Sequence, residues 1–444
     1  MTTAATLATF ATKTDFANLP ARAIEHAKVV IASTVASAAM GRNIGSTNAF
    51  RDMAKERGGW GEASLWFDRG LQLPVMDVAR ANAIMSDAAA SDDSDLAAAA
   101  HLGTVTSATA VAMGERQRST GRQVLAAIVV GYEVANRIGR HVRPGEVGFH
   151  PGMITIFGAT VAAAKLMQLS ADQMTHAIAL AATSIGGMRI AADTSWAREY
   201  DAALSAMLAV TAAMAAAKGY TCETRIFEMG RGYFEVFHGH DLEGVTAGLG
   251  EKWGIVEDLA IKLMPGAWAY HALAEAAWTA ATEGDIRPEQ VERISVCGHA
   301  MTKRLFYHPT DLVGVAHSLP YMVAASVADR KYSWEHATPA KYNDPTIGAL
   351  QDKVVNEPER SPHASRGGGT VTITTLDGRS YSSTMPAPRG SGPRGIDWAD
   401  IEAKYRALVP LAGLPNDRME KSLAVIRRFD EAPLISALTD LLHC

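Results

Sequence analysis

The sequence predicts a mainly α protein, with a large all-helical domain and a smaller α+β domain. Three observations carry this. Long Ala-rich runs with apolar residues three and four apart fill the first half of the 444 residues. After Gly254 the texture changes to alternating, β-branched stretches. Helical spacing returns from Asp397. We therefore expect the helical domain over residues 1–255, regained at 397–444, and the smaller domain over 256–396.

Taken in order, Ile24, Ala27, Ile31, Val35 and Ala38 mark one face of a helix over 20–39, and Pro20 suits its first turn. Gly41-Arg-Asn43 breaks the pattern. Residues 63–67 read as a short strand. Helices are then expected over 75–90, 104–113, 121–138, 154–167, 171–185 and 199–218. Alanine loses no side-chain entropy and lets helices approach closely. In the second domain Val291 to Cys297 alternates like a strand, and 317–328 reads as a helix. Residues 369–375 and 379–385 flank Leu376-Asp-Gly378, a strong hairpin turn signal. The tail offers helices at 398–409, 418–429 and 432–442.

Composition narrows the function. With 42 basic against 47 acidic residues and no basic block, neither nucleic acid nor an anionic membrane is an expected partner. The first 16 residues lack the apolar core and cleavage site of a secretory signal, and the apolar run 202–217 falls short of a bilayer span. Cys222, Cys297 and Cys444 are widely spaced, so a disulfide framework is not expected and a cytoplasmic location is. Phosphate-loop and His-Glu-x-x-His motifs are missing, and Met229-Gly-Arg-Gly-Tyr233 lacks a third glycine and a preceding strand. His238-Gly-His240-Asp241 reads as a solvated loop or as metal ligands. The expectation is chemistry by side chains alone, with no metal or cofactor.

Four places offer such chemistry. The Gly/Pro-rich loop 143–152 ends on His150, which either caps a helix or meets a small molecule. Asp92 and Asp93 stand in Ser91-Asp-Asp-Ser-Asp95, either capping the run 96–100 or raising each other's pKa, with His101 beyond them. Lys262 lies in an apolar stretch that would depress its pKa unless a carboxylate pairs with it, and His271 follows. Tyr321 opens an apolar helix, either as a core tyrosine or with its hydroxyl toward a cleft.

An ordered set of motifs then gives a resemblance. Asp92-Asp-Ser with His101, Gly131-Tyr-Glu-Val-Ala135, Gly148-Phe-His-Pro151, Ile261-Lys-Leu-Met-Pro265 with His271, Ser318-Leu-Pro-Tyr321, Leu376-Asp-Gly-Arg379 and Pro388-Arg-Gly390 occur in sequence. Over roughly residues 20 to 430 the chain resembles the 2-methylcitrate dehydratase (MmgE/PrpD) family. The resemblance implies an all-helical domain with a smaller α+β lid, a homodimer, and metal- and cofactor-free work on small di- and polycarboxylates. It assigns catalytic roles to Asp93, His101, His150, Lys262 and Tyr321, and substrate binding to Asp92 and His271.

One segment departs from the family pattern. Where family lyases show a Thr-Lys-x-x-His-like segment, this chain reads Thr194-Ser-Trp-Ala-Arg-Glu-Tyr200, with Ala197 for the lysine and Tyr200 for the histidine. The departure points away from dehydration and decarboxylation. It fits a divergent member, and the resemblance of the whole chain implies an epimerase acting by proton removal and return beside a carboxylate of an amino-polycarboxylate such as iminodisuccinate. His150 or His101, with Lys262, would form the acid–base pair and Tyr321 an acid. Arg189 and Arg198 would grip carboxylates, which match a guanidinium with two bonds. A dehydratase- or decarboxylase-type lyase is the alternative, and a non-catalytic carboxylate-binding protein a third reading.

Overall fold

A computed structural model describes residues 1–184, 186–298, 307–357, 359 and 361–444. It is mostly helical with small sheets, and the chain divides into two compact units. One comprises Met1–Leu259 and Trp398–Cys444, the other Ala260–Asp397.

The first unit is built from α1 (Thr3–Lys13), α2 (Ala21–Gly41), α3 (Gly45–Arg57), α4 (Val75–Ala88), α5 (Leu102–Arg116), α6 (Gly121–Arg140), α7 (Thr155–Leu166), α8 (Ala171–Thr183), α9 (Arg189–Thr194) and α10 (Ala197–Ala217). The sequence reading missed α1, α3 and α9. The expected end of α8 at Ile185 lies outside the described residues. The strand expected over 63–67 shrinks to Ala63–Ser64, paired antiparallel with Gln72–Leu73, because Phe67 turns the chain at φ 57°. Capping follows local chemistry: Thr120 and Ser170 each accept a backbone N–H at the third helical position and receive the Gln side chain back.

Small residues set the helix spacing. A methyl group on Gly131 of α6 would stand 2.4 Å from the carbonyl oxygen of Gly158 in α7, so the two helices meet backbone to backbone. By length and composition α10, at 21 residues, reaches a bilayer span, unlike the shorter run expected. More than half of its apolar window is buried, and it packs on α4, α7 and α8 as a core helix does.

In the second unit one sheet has the order Val354–Asn356, Val291–Cys297, Gly369–Thr375, Ser380–Met385. The first pair is parallel and the others antiparallel. Strand 291–297 and the hairpin fall where alternation put them, with Gly378 at φ 83° in the turn. Val371 and Ile373 are fully buried, and the Trp268–Glu283 helix packs on their strand. On the other face Thr370, Thr372 and Thr374 bond across to Thr384, Ser382 and Ser380. The helix expected over 317–328 is two, Leu312–His317 and Leu319–Asp329, because Ser318 caps the second by accepting the Tyr321 N–H.

Candidate active site

The acidic segment Ser91–Asp95 is buried in the first unit, between α4 and α5. No helix forms over 96–100. Asp93 instead caps α5, its two oxygens accepting the N–H groups of Gly103 at 2.8 Å and Thr104 at 2.7 Å. Burial and the charge of Asp92 push the Asp93 carboxyl above its usual range. Asp95 binds the N–H groups of Ala97 and Ala98 through one oxygen. Its other oxygen shares the Asn136 amide with Asp258, at 2.7 and 3.0 Å. Burial and Asp258 push Asp95 up to about 7.

His101 precedes α5. Its Nδ1 lies 2.7 Å from the carbonyl oxygen of Asp93 and 2.8 Å from Oδ2 of Asp92. Both neighbours are acceptors, which favours a proton on Nδ1. The side chain is 15 % exposed, against 0 % for Asp92.

Nε2 of His101 stands 4.0 Å from Oδ1 of Asp87, at the end of α4. Asp87 is buried, and Nε of Arg198 in α10 lies 3.3 Å from its other oxygen. Arg198 also donates to the Asp87 carbonyl at 2.8 Å. Burial draws the guanidinium down, but Asp87, Glu199 and Asp92 outweigh it and hold the pKa above its ordinary value. The Arg198 side chain is only 10 % exposed, and its charge offsets that of the buried Asp87. Asp87, Asp92 and His101 each bring a ligand atom within 4.8 Å of the others, a spacing that would fit a small cation.

His150 is an N-cap: its Nδ1 accepts the Gly152 N–H at 3.2 Å, and its own N–H donates to Gly187 at 2.9 Å. Neutral His150 therefore carries its proton on Nε2, the opposite tautomer to His101. Asp201 Oδ2 lies 3.8 Å from that ring, and burial, then Asp87, push Asp201 up to about 7. Gly187, at φ 102°, leaves room for this carboxylate; a methyl group there would meet its oxygen at 2.5 Å. Arg189 begins α9 and donates its backbone N–H to Gly148, which keeps it beside the His150 loop. The first unit thus gathers Asp92, Asp93, His101, His150 and Arg198 around Asp87 and Asp201, two residues the sequence reading passed over. The signal for Asp87 was a carboxylate closing the apolar run Ala83-Ile-Met-Ser-Asp-Ala88.

Three candidates belong to the second unit. Lys262 is buried on the turn after Leu259–Ile261. His271 is buried with Nε2 3.2 Å from the Gly266 carbonyl. Tyr321 is fully buried, and its hydroxyl donates to the His336 carbonyl at 2.6 Å. Burial, with the charge of Asp329, also raises its pKa. His238 and His240 stand apart from one another's rings: His240 packs against His141 at 5.6 Å and His238 pairs with Glu146 at 3.3 Å.

A helical unit carrying two carboxylate-flanked histidines is thus joined in one chain to an α+β unit. The chain belongs to the MmgE/PrpD family: residues 5–244 match its N-terminal domain and 265–430 its C-terminal domain. Family members are enzymes. The chain is similar to a cis-aconitate decarboxylase-like protein of Aspergillus oryzae, 24% identical over 65% of this chain and 64% of that protein. It is also 25% identical to a cis-aconitate decarboxylase of Aspergillus terreus, over 96% of this chain and 93% of that one.

Proposed function

We propose that this chain is a cofactor-independent enzyme that removes a proton from the carbon beside a carboxylate of a small polycarboxylate, with His101 as the base. The observation that supports this reading is the pair of acceptors facing His101 Nδ1, which favours the tautomer in which Nε2 is the basic nitrogen. The C–H electron pair would move into the adjacent carboxylate, whose growing charge needs a nearby cation. Arg189 is assigned that contact, and Lys262 keeps the acid–base role implied by the resemblance.

Two outcomes follow from the same first step. Departure of hydroxide from the neighbouring carbon would leave a double bond, a dehydratase-type lyase reaction. A decarboxylase-type lyase, which the relatives favour, would instead release carbon dioxide and have the base, in its protonated form, deliver a proton to the carbanion left behind. Return of the proton to the opposite face would make an epimerase of an amino-polycarboxylate such as iminodisuccinate. The opposite tautomers of His101 and His150, one base and one acid, favour this second reading, as do Ala197 and Tyr200. A homodimer and a cytoplasmic location belong to the same proposal.

Proton NMR in D2O tests it, with cis-aconitate, 2-methylcitrate and the iminodisuccinate stereoisomers as substrates, before and after EDTA treatment. A new vinyl signal or loss of carbon dioxide supports the lyase. Loss of the α-proton signal with interconversion of stereoisomers supports the epimerase. Retention of every substrate proton would sink both, and loss of turnover after EDTA would overturn the metal-free mechanism.

A further inference from the structure

Lys404 stands on the Trp398–Leu408 helix of the returning chain, yet its side chain is only 2 % exposed. Its Nζ donates to Ser33 Oγ at 2.7 Å and to the carbonyl oxygen of Ser91. That same carbonyl accepts a second bond from Ser37 Oγ at 2.8 Å, and Ser91 is fully buried. Ser33 and Ser37 lie one turn apart on α2: Ser37 and a lysine from a distant part of the chain converge on one peptide oxygen, while Ser33 holds that lysine.

The oxygen of Ser91 and the amide nitrogen of Asp92 belong to one planar peptide unit. Holding the oxygen fixes the plane from which the Asp92 side chain departs. The Asp92 carboxylate stands 2.8 Å from His101 Nδ1, a charge contact that favours a proton there beside the hydrogen bond to the Asp93 carbonyl. A charged donor to a buried carbonyl makes a stronger hold than a neutral one. Burying a lysine is costly, and an apolar residue would fill the same volume without that cost. We propose that Lys404 is a positioning residue for His101, acting through the Ser91 carbonyl and Asp92 to keep the imidazole in its Nδ1–H tautomer. This rests on the reading of His101 as the base.

The test combines nitrogen-15 NMR of the histidine rings with substrate proton exchange, using the full-length chain. The His101 signals are assigned by their loss in His101→Gln. Wild type should show neutral His101 as the single Nδ1–H tautomer. Lys404→Met should show a mixture of tautomers and proton exchange slowed about tenfold or more, with a smaller change in KM. Lys404→Cys, aminoethylated to a lysine isostere, should recover both, with identically treated wild type as control. If Lys404→Met fails to fold, Ser37→Ala removes the other donor and should give partial mixing. A lower melting temperature with the tautomer and its exchange rate unchanged would overturn the proposal. If wild type exchanges no substrate proton, the functional reading fails, while the tautomer measurement still decides the role of Lys404.

Discussion

One ring nitrogen of His101 faces two acceptors from consecutive residues, Asp92 Oδ2 at 2.8 Å and the Asp93 carbonyl at 2.7 Å. The Asp93 carbonyl takes the hydrogen bond and the Asp92 carboxylate adds its charge, so both favour a proton on Nδ1. Asp92→Asn keeps the volume but puts an amide where a carboxylate held the ring. Proton exchange at the substrate carbon should fall by on the order of 10²-fold, the usual worth of a positioned acid–base group. Deuterium incorporation measures it. A variant within twofold of wild type would remove His101 from the base role.

Arg198 and Asp87 give a stability prediction. Arg198→Met leaves the Asp87 carboxylate buried without its cation, which costs about 3–5 kcal/mol for such pairs. The double variant Asp87→Asn/Arg198→Met should lose less than the two single variants summed. Urea unfolding of the four proteins completes the cycle. Additive losses would mean that the two side chains act independently.

Asp201 makes stability depend on pH with a definite sign. Burial, with the charge of Asp87, pushes its folded-state pKa up to about 7, above the ordinary 3.8 of an exposed aspartate. Between those values the native state keeps a proton that the unfolded chain has lost, so the contribution to stability falls as pH rises and is flat above about 7. Asp201→Asn should lose less stability than wild type between pH 4.5 and pH 7. Melting temperatures across that range check this, and parallel curves for the two proteins would contradict it.

Tyr321→Phe separates fold from chemistry. The hydroxyl is buried and bonded to the His336 carbonyl, so its loss should cost about 1–3 kcal/mol by leaving that oxygen unpaired. Turnover per folded molecule should stay within about threefold of wild type. A loss on the order of 10²-fold would restore Tyr321 to the acid role implied by the resemblance.

Part of this was legible in residues alone. Strand 291–297 and the hairpin were visible because alternating β-branched residues and an Asp-Gly turn act locally. Strand Val354–Asn356 was not, since three residues carry too little period and the pairing with Val291–Cys297 is remote. Helix α9 was not either, since six residues carry too little period, and the expected helix began only at residue 199, two residues into α10. At the site, Asp92, Asp93 and His101 announced themselves as polar residues clustered in one segment. Asp87, Asp201 and Lys404 did not, because each sits singly on a helix and gains its meaning only from residues far along the chain.

The larger unit is completed by two separate stretches, with Ala260–Asp397 lying between them in the chain. On the ribosome, α2 emerges early and waits for the Trp398–Leu408 helix that packs on it. Until translation passes residue 404, the Ser91 carbonyl lacks its charged donor. A nascent chain stalled in the smaller unit would thus expose an unfinished apolar face on α2, a natural substrate for chaperone capture and for proteolysis.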